Sequence, residues 1–395
     1  MKIVYYTFSI LSLLFLSNCK TVPSPIAAPP SLTSTKYVEA FGAKGDGKTD
    51  DTQAFKRAIQ SIAKRKTINN GKSGGWGTGG AGLILLDGQK IYRITEPLII
   101  PKEKNITFKS DAMGGAVIQY DGPGDFAIDF QFKGINAAIK IDGITFWKGG
   151  VRIQGFTTGR ILIENNQFVD TPGPAIALVD AKDVGTHPTT FGVVHWLIQY
   201  NDFSYCNQGV RVVSGNGLLG TLFKNRFNFT VNTPLHIDAN TITVDNNEFM
   251  GVRNRSKSYI HLSPNKNPVA HIQIHNNRFG PEIGTWNGHK YYPPQYYILM
   301  DQGKNGHKIA NVYIEKNYFN THRKYLDVPQ SAEMAIYFKG RSLDVKVKEN
   351  TFFEFQKAII NDVEKNTNCT FSKNKIYSKK PVFSRSSNNW KKKED

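Results

Sequence analysis

Asn166-Gln167-Phe168 opens a phrase that returns as Asn201-Asp202-Phe203, Asn225-Arg226-Phe227, Asn247-Glu248-Phe249, Asn277-Arg278-Phe279, Asn317-Tyr318-Phe319, Asn350-Thr351-Phe352 and, with Ile for Phe, Asn374-Lys375-Ile376. Each follows a short apolar run, and successive Asn positions lie 35, 24, 22, 30, 40, 33 and 24 residues apart. A spacing with a floor and no ceiling describes stacked coils, in which each coil lies on the one before and extra residues bulge out as loops. A stack grows in one direction and escapes the size limit of a single globular core, so one elongated domain accommodates all 395 residues. Aromatics at 12% and 35 glycines suit many short strands and turns better than a helical bundle.

The segment ahead of the repeats is read differently. Met1-Lys2 precedes an apolar run from Ile3 to Phe15, then Leu16-Ser17-Asn18-Cys19 and a stretch rich in Pro, Ser, Thr and Ala. This pattern predicts an export signal over residues 1–19 and a tether over 20–36. The ending resembles a bacterial lipobox, which implies acylation of Cys19, a membrane anchor and a place on the cell surface, in the outer membrane or in the periplasm. Asn18 departs from the small residue usual before that Cys. Elsewhere no apolar run reaches the roughly 20 residues a membrane helix needs. Cys206 and Cys369 fall six coils apart, about 29 Å at one strand spacing per coil, which predicts free packing residues and not a disulfide.

The net charge is +18, and residues 378–395 read as a basic tail. A basic exported chain points to a polyanionic partner, and export favours an acidic polysaccharide over nucleic acid.

From Val38 the chain runs Val38-Glu39-Ala40-Phe41-Gly42-Ala43-Lys44-Gly45-Asp46-Gly47-Lys48-Thr49-Asp50-Asp51-Thr52-Gln53-Ala54-Phe55. A strand, a Gly-Asp-Gly turn and a helix capped by Asp50 with Gln53 are expected. Ala54, Phe55, Ala58, Ile59 and Ile62 give that helix an apolar stripe with which to plug the open end of a stack. These residues closely resemble the opening signature of the pectate-lyase-like superfamily, and Leu83-Ile84-Leu85-Leu86-Asp87-Gly88 with Tyr92 continues the likeness. The resemblance implies an all-β chain, a single-stranded right-handed parallel β-helix over residues 37–377 with an N-terminal capping helix. The recurrent Asn resembles the asparagine ladder of that fold. The fold hosts lyases, hydrolases, epimerase-like enzymes and adhesive tailspikes, so it does not choose a reaction.

The phrase also serves as a ruler. If it marks the turn between the second and third strands of a coil, the next apolar pair begins the first strand of the following coil. Those first strands contain Val151-Arg152-Ile153-Gln154, Ile176-Ala177-Leu178-Val179, Val210-Arg211-Val212-Val213, Leu235-His236-Ile237-Asp238, Ile260-His261-Leu262-Ser263, Ile298-Leu299-Met300-Asp301 and Ile336-Tyr337-Phe338-Lys339. Alternation turns the second and fourth residues outward, in columns with neighbours about 4.8 Å apart. Arg211, His236, His261, Asp238, Asp301 and Tyr337 are therefore the candidate catalytic residues, with Arg152 and Lys339 as substrate contacts on the same face. The longest insertions, Gly280 to Tyr297 and Asn320 to Met334, overhang one edge and supply Trp286, His289, Lys290, Tyr291, Tyr292, Arg323, Lys324 and Tyr325 as further sugar or carboxylate contacts. Outward polar residues also arise from solvation alone, as His271 and His275 on another strand illustrate.

Two chemistries fit an acidic polysaccharide. A lyase needs a cation for the uronic carboxylate, a base and a proton donor, which Arg211, His236 or His261, and Tyr337 or the second His supply. An inverting hydrolase needs two separated carboxyl groups, and Asp238 and Asp301 stand two coils apart, about 9.6 Å. The Asn-Thr-Asp, Asp-Asp and Gly-His-Gly pattern of polygalacturonases is absent; Asn287-Gly288-His289 is its nearest fragment. No acidic cluster resembles the calcium site of pectate lyases, so no metal or other cofactor is expected. A third class, a surface lipoprotein that binds glycans without catalysis, would carry the same groove.

Overall fold

The computed structural model describes residues 36–395 apart from 64–80, 101–104, 134–137, 157–159, 181–191, 215–218, 265–267, 281–283, 303–306, 322–331, 354, 363–366, 378–380, 385–389 and 394–395. Cys19 and the tether lie outside the described residues. Three long parallel sheets of ten, thirteen and twelve strands are built from strands taken in rotation along the chain. We call them sheets 1, 2 and 3 in that order. Each strand pairs with its equivalent one coil earlier and one coil later, which defines a right-handed parallel β-helix. All seven strands expected to form one face lie in sheet 1.

The Asn-x-Phe phrase builds the corner between sheets 2 and 3. Each buried Asn places its Oδ1 to accept from both the backbone N–H and the Nδ2 of the ladder Asn one coil earlier, at 2.9–3.1 Å from Asn166 to Asn374. Its own Nδ2 donates to a carbonyl of the preceding coil, as Asn247 does to Leu222 at 3.0 Å. Two residues on, the Phe rings stack face to face from Phe146 to Phe352, with centroids 4.7–5.3 Å apart and planes within 13°. The spacing equals the strand repeat, so a planar ring fills each coil and lies on the next. The residue before each ladder Asn is left-handed, with φ of 52–58° at Asn165, Tyr200, Lys224, Asn246, Asn276, Lys316, Glu349 and Lys373. That conformation costs a non-glycine residue about 1 kcal/mol or more, and the satisfied Asn beside it offsets the cost.

Helix Thr52–Ala63 closes the N-terminal end. Ala54, Phe55, Ala58, Ile59 and Ile62 are all buried, and Ile62 lies so close to Gly82 that a Cβ there would overlap it. The expected Asp50–Gln53 box gives way to another arrangement. Asp50 Oδ1 accepts from Thr52 N–H, while the Asp51 carboxylate accepts from Lys44 and Gly45 N–H and ties the helix start to the preceding turn. At the other end, Pro381, Val382 and Ser384 pair with Ile359 and Ile360, and strand Trp390–Lys393 joins sheet 2. The segment that composition marks as a basic tail thus covers the last coils. Cys206 and Cys369 are buried and free, and burial pushes the Cys206 thiol up to about 12. No helix among the described residues is long and apolar enough to cross a membrane.

Candidate functional site

Sheet 1 holds its pattern because the inward residues of its strands, Val210 and Val212, Leu235 and Ile237, Ile260 and Leu262, are fully buried in the core. This leaves Arg211, His236 and His261 directly paired on successive strands of the outer face. The imidazoles of His236 and His261 meet edge to face, with centroids 5.2 Å apart. Burial, then His261, then Arg211 hold His236 down at about 3. Burial holds His261 down at about 4, against the opposing pull of Asp301. Both rings are therefore neutral at neutral pH. The Nε2 of His261 is buried and makes no hydrogen bond. Arg211 is exposed and has no carboxylate partner among the described residues.

The second outward column behaves less uniformly. Asp238 is paired in register with Val213 and is 2% exposed, well covered for an outward residue. The end of the preceding insertion helps to roof this edge, where Val193 N–H donates to Ser214 Oγ at 3.0 Å. Asp301 continues the column beyond the strand end, its N–H donating to Leu262 O, and its carboxylate pairs with Lys339 Nζ at 2.9 Å. Lys339 is thus a partner of Asp301 as well as a surface cation.

Tyr337 shares the His column but stands two strands from His261, with Leu299 between, about 10 Å away. Its ring packs on Tyr296 at 4.6 Å and does not touch the imidazoles. Tyr337 is therefore out of contact with the two imidazoles, two strands from His261 as the order of the column implies. Arg152 is also altered from expectation. Its Nε and Nη2 donate to Asp129 at 2.9 and 2.7 Å, so its charge is compensated by a carboxylate outside the quoted strands.

The insertion after Gly280 forms an antiparallel hairpin, Gly284–Trp286 with His289–Tyr291, turned by Asn287 and Gly288 at φ 46° and 73°. Asn-Gly with both residues left-handed is the hairpin turn that matches strand twist, so this fragment is structural in origin. His289 and Lys290 are exposed on it. Tyr291 is 2% exposed and packs against Tyr205 and Phe229 at 5.8 Å, which removes it from the sugar-contact set: it is the anchor that clamps the hairpin to sheet 3. Tyr292 is half-buried and pairs through its backbone with Val252. The side chain of Trp286 and residues Arg323, Lys324 and Tyr325 lie outside the described residues. Below the hairpin an open cleft of about 700 Å³ runs along the corner of sheets 3 and 1, lined in part by Tyr120, Lys148, Asp170, Tyr205 and Asn207.

On sheet 2, His275 Nδ1 lies 3.1 Å from Asp245 and His271 is exposed. Among the described residues no three His, Cys, Asp or Glu side chains converge as a metal ion would require.

No protein-family model matches this sequence, and a search of the curated proteins returns no match. The fold is shared with solved structures at low identity. The A-module of mannuronan C-5 epimerase AlgE4 from Azotobacter vinelandii is similar at 14% identity and a TM-score of 0.58, covering 91% of this chain and 100% of that one. PfbA, a surface adhesin of Streptococcus pneumoniae, is similar at 14% and 0.56, covering 89% and 91%. The catalytic unit of an α-1,3-glucanase from Streptomyces thermodiastaticus is similar at 16% and 0.50, covering 93% and 72%. The class defined by fold and topology is the right-handed parallel β-helix.

Proposed function

We propose that this protein acts on an acidic polysaccharide by β-elimination next to a uronic carboxylate, with the outer face of sheet 1 as its active site. The observation that carries this reading is Arg211, without a carboxylate partner among the described residues, directly beside the neutral imidazole of His236, which in turn meets His261 in the same column. Arg211 takes the substrate carboxylate and stabilises the charge that develops when the adjacent C5 proton leaves. His236 accepts that proton. The C4–O bond breaks as the C4=C5 double bond forms, and the leaving oxygen receives the proton from the imidazolium so formed. A bound carboxylate cancels the field of Arg211, which otherwise lowers His236, so the base strengthens as substrate arrives. The net charge of +18 and the likeness to an epimerase fold support a polyanionic substrate.

The hydrolase reading asks for one ionised and one protonated carboxyl; Asp301, paired with Lys339 Nζ, fits the ionised role, which leaves the buried Asp238 as the proton donor. Incubation with a panel of uronic polysaccharides should produce absorbance from an unsaturated product. Reducing ends without that absorbance would replace elimination by hydrolysis, and neither signal would leave a glycan-binding protein. Export and anchoring through Cys19 belong to the same proposal: labelled fatty acid should be incorporated into the wild-type chain and not into Cys19→Ala.

A further inference from the structure

Two arginines stand in one column of sheet 1, separated only by Ala177, and they are partnered differently. Arg211 has no carboxylate beside it among the described residues. Arg152 is locked in a two-pronged bridge to Asp129, which is 1% exposed and also accepts from Gln154 Nε2 at 3.1 Å and from Gln131 Nε2 at 2.8 Å. The guanidinium further lies over the Phe126 ring at 5.0 Å. Register pairing sets Asp129 beside Arg152 and Gln131 beside Gln154, so the four side chains form one platform on two adjacent strands, the nearer of them two strands, about 9.6 Å, below Arg211.

The platform carries one positive and one negative charge, and they cancel. What it turns toward solvent is the partly exposed guanidinium with the half-buried Gln131 and Gln154 beside it, fixed polar groups with no net charge. Such a surface matches sugar hydroxyls. A second carboxylate placed here would give up its hydration without a cation to receive it. We propose that this lower part of the face is a subsite for an uncharged sugar residue, so that the substrate is a heteropolymer in which uronic residues are interspersed with neutral ones. The proposal rests on Arg211 being the carboxylate-binding group.

The test compares kcat/KM for a homopolyuronate and for a heteropolymer whose repeat sets a neutral residue about 10 Å along the chain from each uronic one, in the wild type, in Asp129→Asn and in Gln131→Lys. Each variant gives the platform a net positive charge, and Gln131→Lys leaves the buried bridge intact should Asp129→Asn fail to fold. The wild type should prefer the heteropolymer by about tenfold or more, and each folded variant should shift that ratio about tenfold toward the homopolymer, mainly through KM. A wild-type preference for the homopolymer, or an unshifted ratio in Gln131→Lys, would overturn the subsite. If the wild type turns over neither polymer, β-elimination falls and calorimetric binding of the same two polymers decides. Tighter binding of the heteropolymer, weakened relative to the homopolymer by Gln131→Lys, sustains the subsite, and equal affinities in the wild type remove it.

Discussion

The corner between sheets 2 and 3 and the outer face of sheet 1 share one coil spacing yet carry opposite patterns. At the corner the coils from Asn166 to Phe352 repeat the same two side chains, because each ladder Asn bonds the Asn of the next coil and a Phe ring stacks best on another Phe. On the face no such reciprocity operates. Arg152, Ala177, Arg211, His236, His261, Leu299 and Tyr337 follow one another in register with no two adjacent residues alike except the His pair. Repetition in a β-helix thus marks scaffold, and departure from repetition on an equally regular frame marks the place where chemistry is free to differ from coil to coil.

The largest effect that would sharpen this contrast is on turnover. His236→Ala should lower kcat/KM on the responsive polymer by about 10²–10⁴-fold, the worth of a positioned base, with circular dichroism unchanged; a fully active His236→Ala, His261→Ala double variant would break the assignment. The scaffold should answer in stability instead. Asn247→Ala strands the backbone N–H of Asn225 and removes the Nδ2 donor to the Leu222 carbonyl inside the corner, while Asn225 Nδ2 keeps the Ile198 carbonyl and Asn277 Oδ1 keeps the backbone N–H of residue 247. At about 1–3 kcal/mol for an unsatisfied buried group, denaturant unfolding should show a loss of about 2 kcal/mol or more. Asn374→Ala, at the half-buried end of the ladder, should lose less than half as much, and equal losses would contradict a cooperative ladder.

The imidazole pair also predicts an acid limb. Both folded-state values lie below the ordinary 6.5, so below that pH the unfolded chain binds more protons than the folded one. Stability should fall as the pH drops from about 6.5 toward 4, and His236→Gln with His261→Gln should flatten that limb in thermal melts. The smallest effect belongs to the exposed ion pair: Lys339→Ala should change stability by about 0–1 kcal/mol, because Lys339 is 58% exposed and solvent screens the bridge. A larger loss would mean that Asp301 is held for structural reasons.

Much of the frame was legible because period and chemistry coincide. Asn-x-Phe located the corner, the corner located the strands, and alternation then put Arg211, His236 and His261 side by side. Legibility failed wherever a partner comes from another part of the chain. Asp129 lies 23 residues before Arg152, in a coil without the phrase, so the bridge that neutralises Arg152 has no local signal. Tyr291 looked like a sugar platform because composition cannot distinguish a ring aimed at solvent from one folded back onto Phe229. The hairpin turn could have been read from Asn287-Gly288, a strong turn signal that resemblance to a catalytic fragment obscured. Basic composition alone gave no sign that Trp390–Lys393 would pair with the last coil.

The sequence by itself determined the coil, its corner and which residues face outward, since these follow from a repeat of local interactions that each coil makes with its neighbour. Tertiary structure alone decided which outward charges are spent on one another and which remain available. Whether a guanidinium is free or compensated, and whether an imidazole is wet or buried, depends on distance and desolvation between segments far apart in the chain. Arg211 and Arg152 are the same residue in the same column, and only the fold pairs one guanidinium with Asp129 and leaves the other without a carboxylate partner among the described residues.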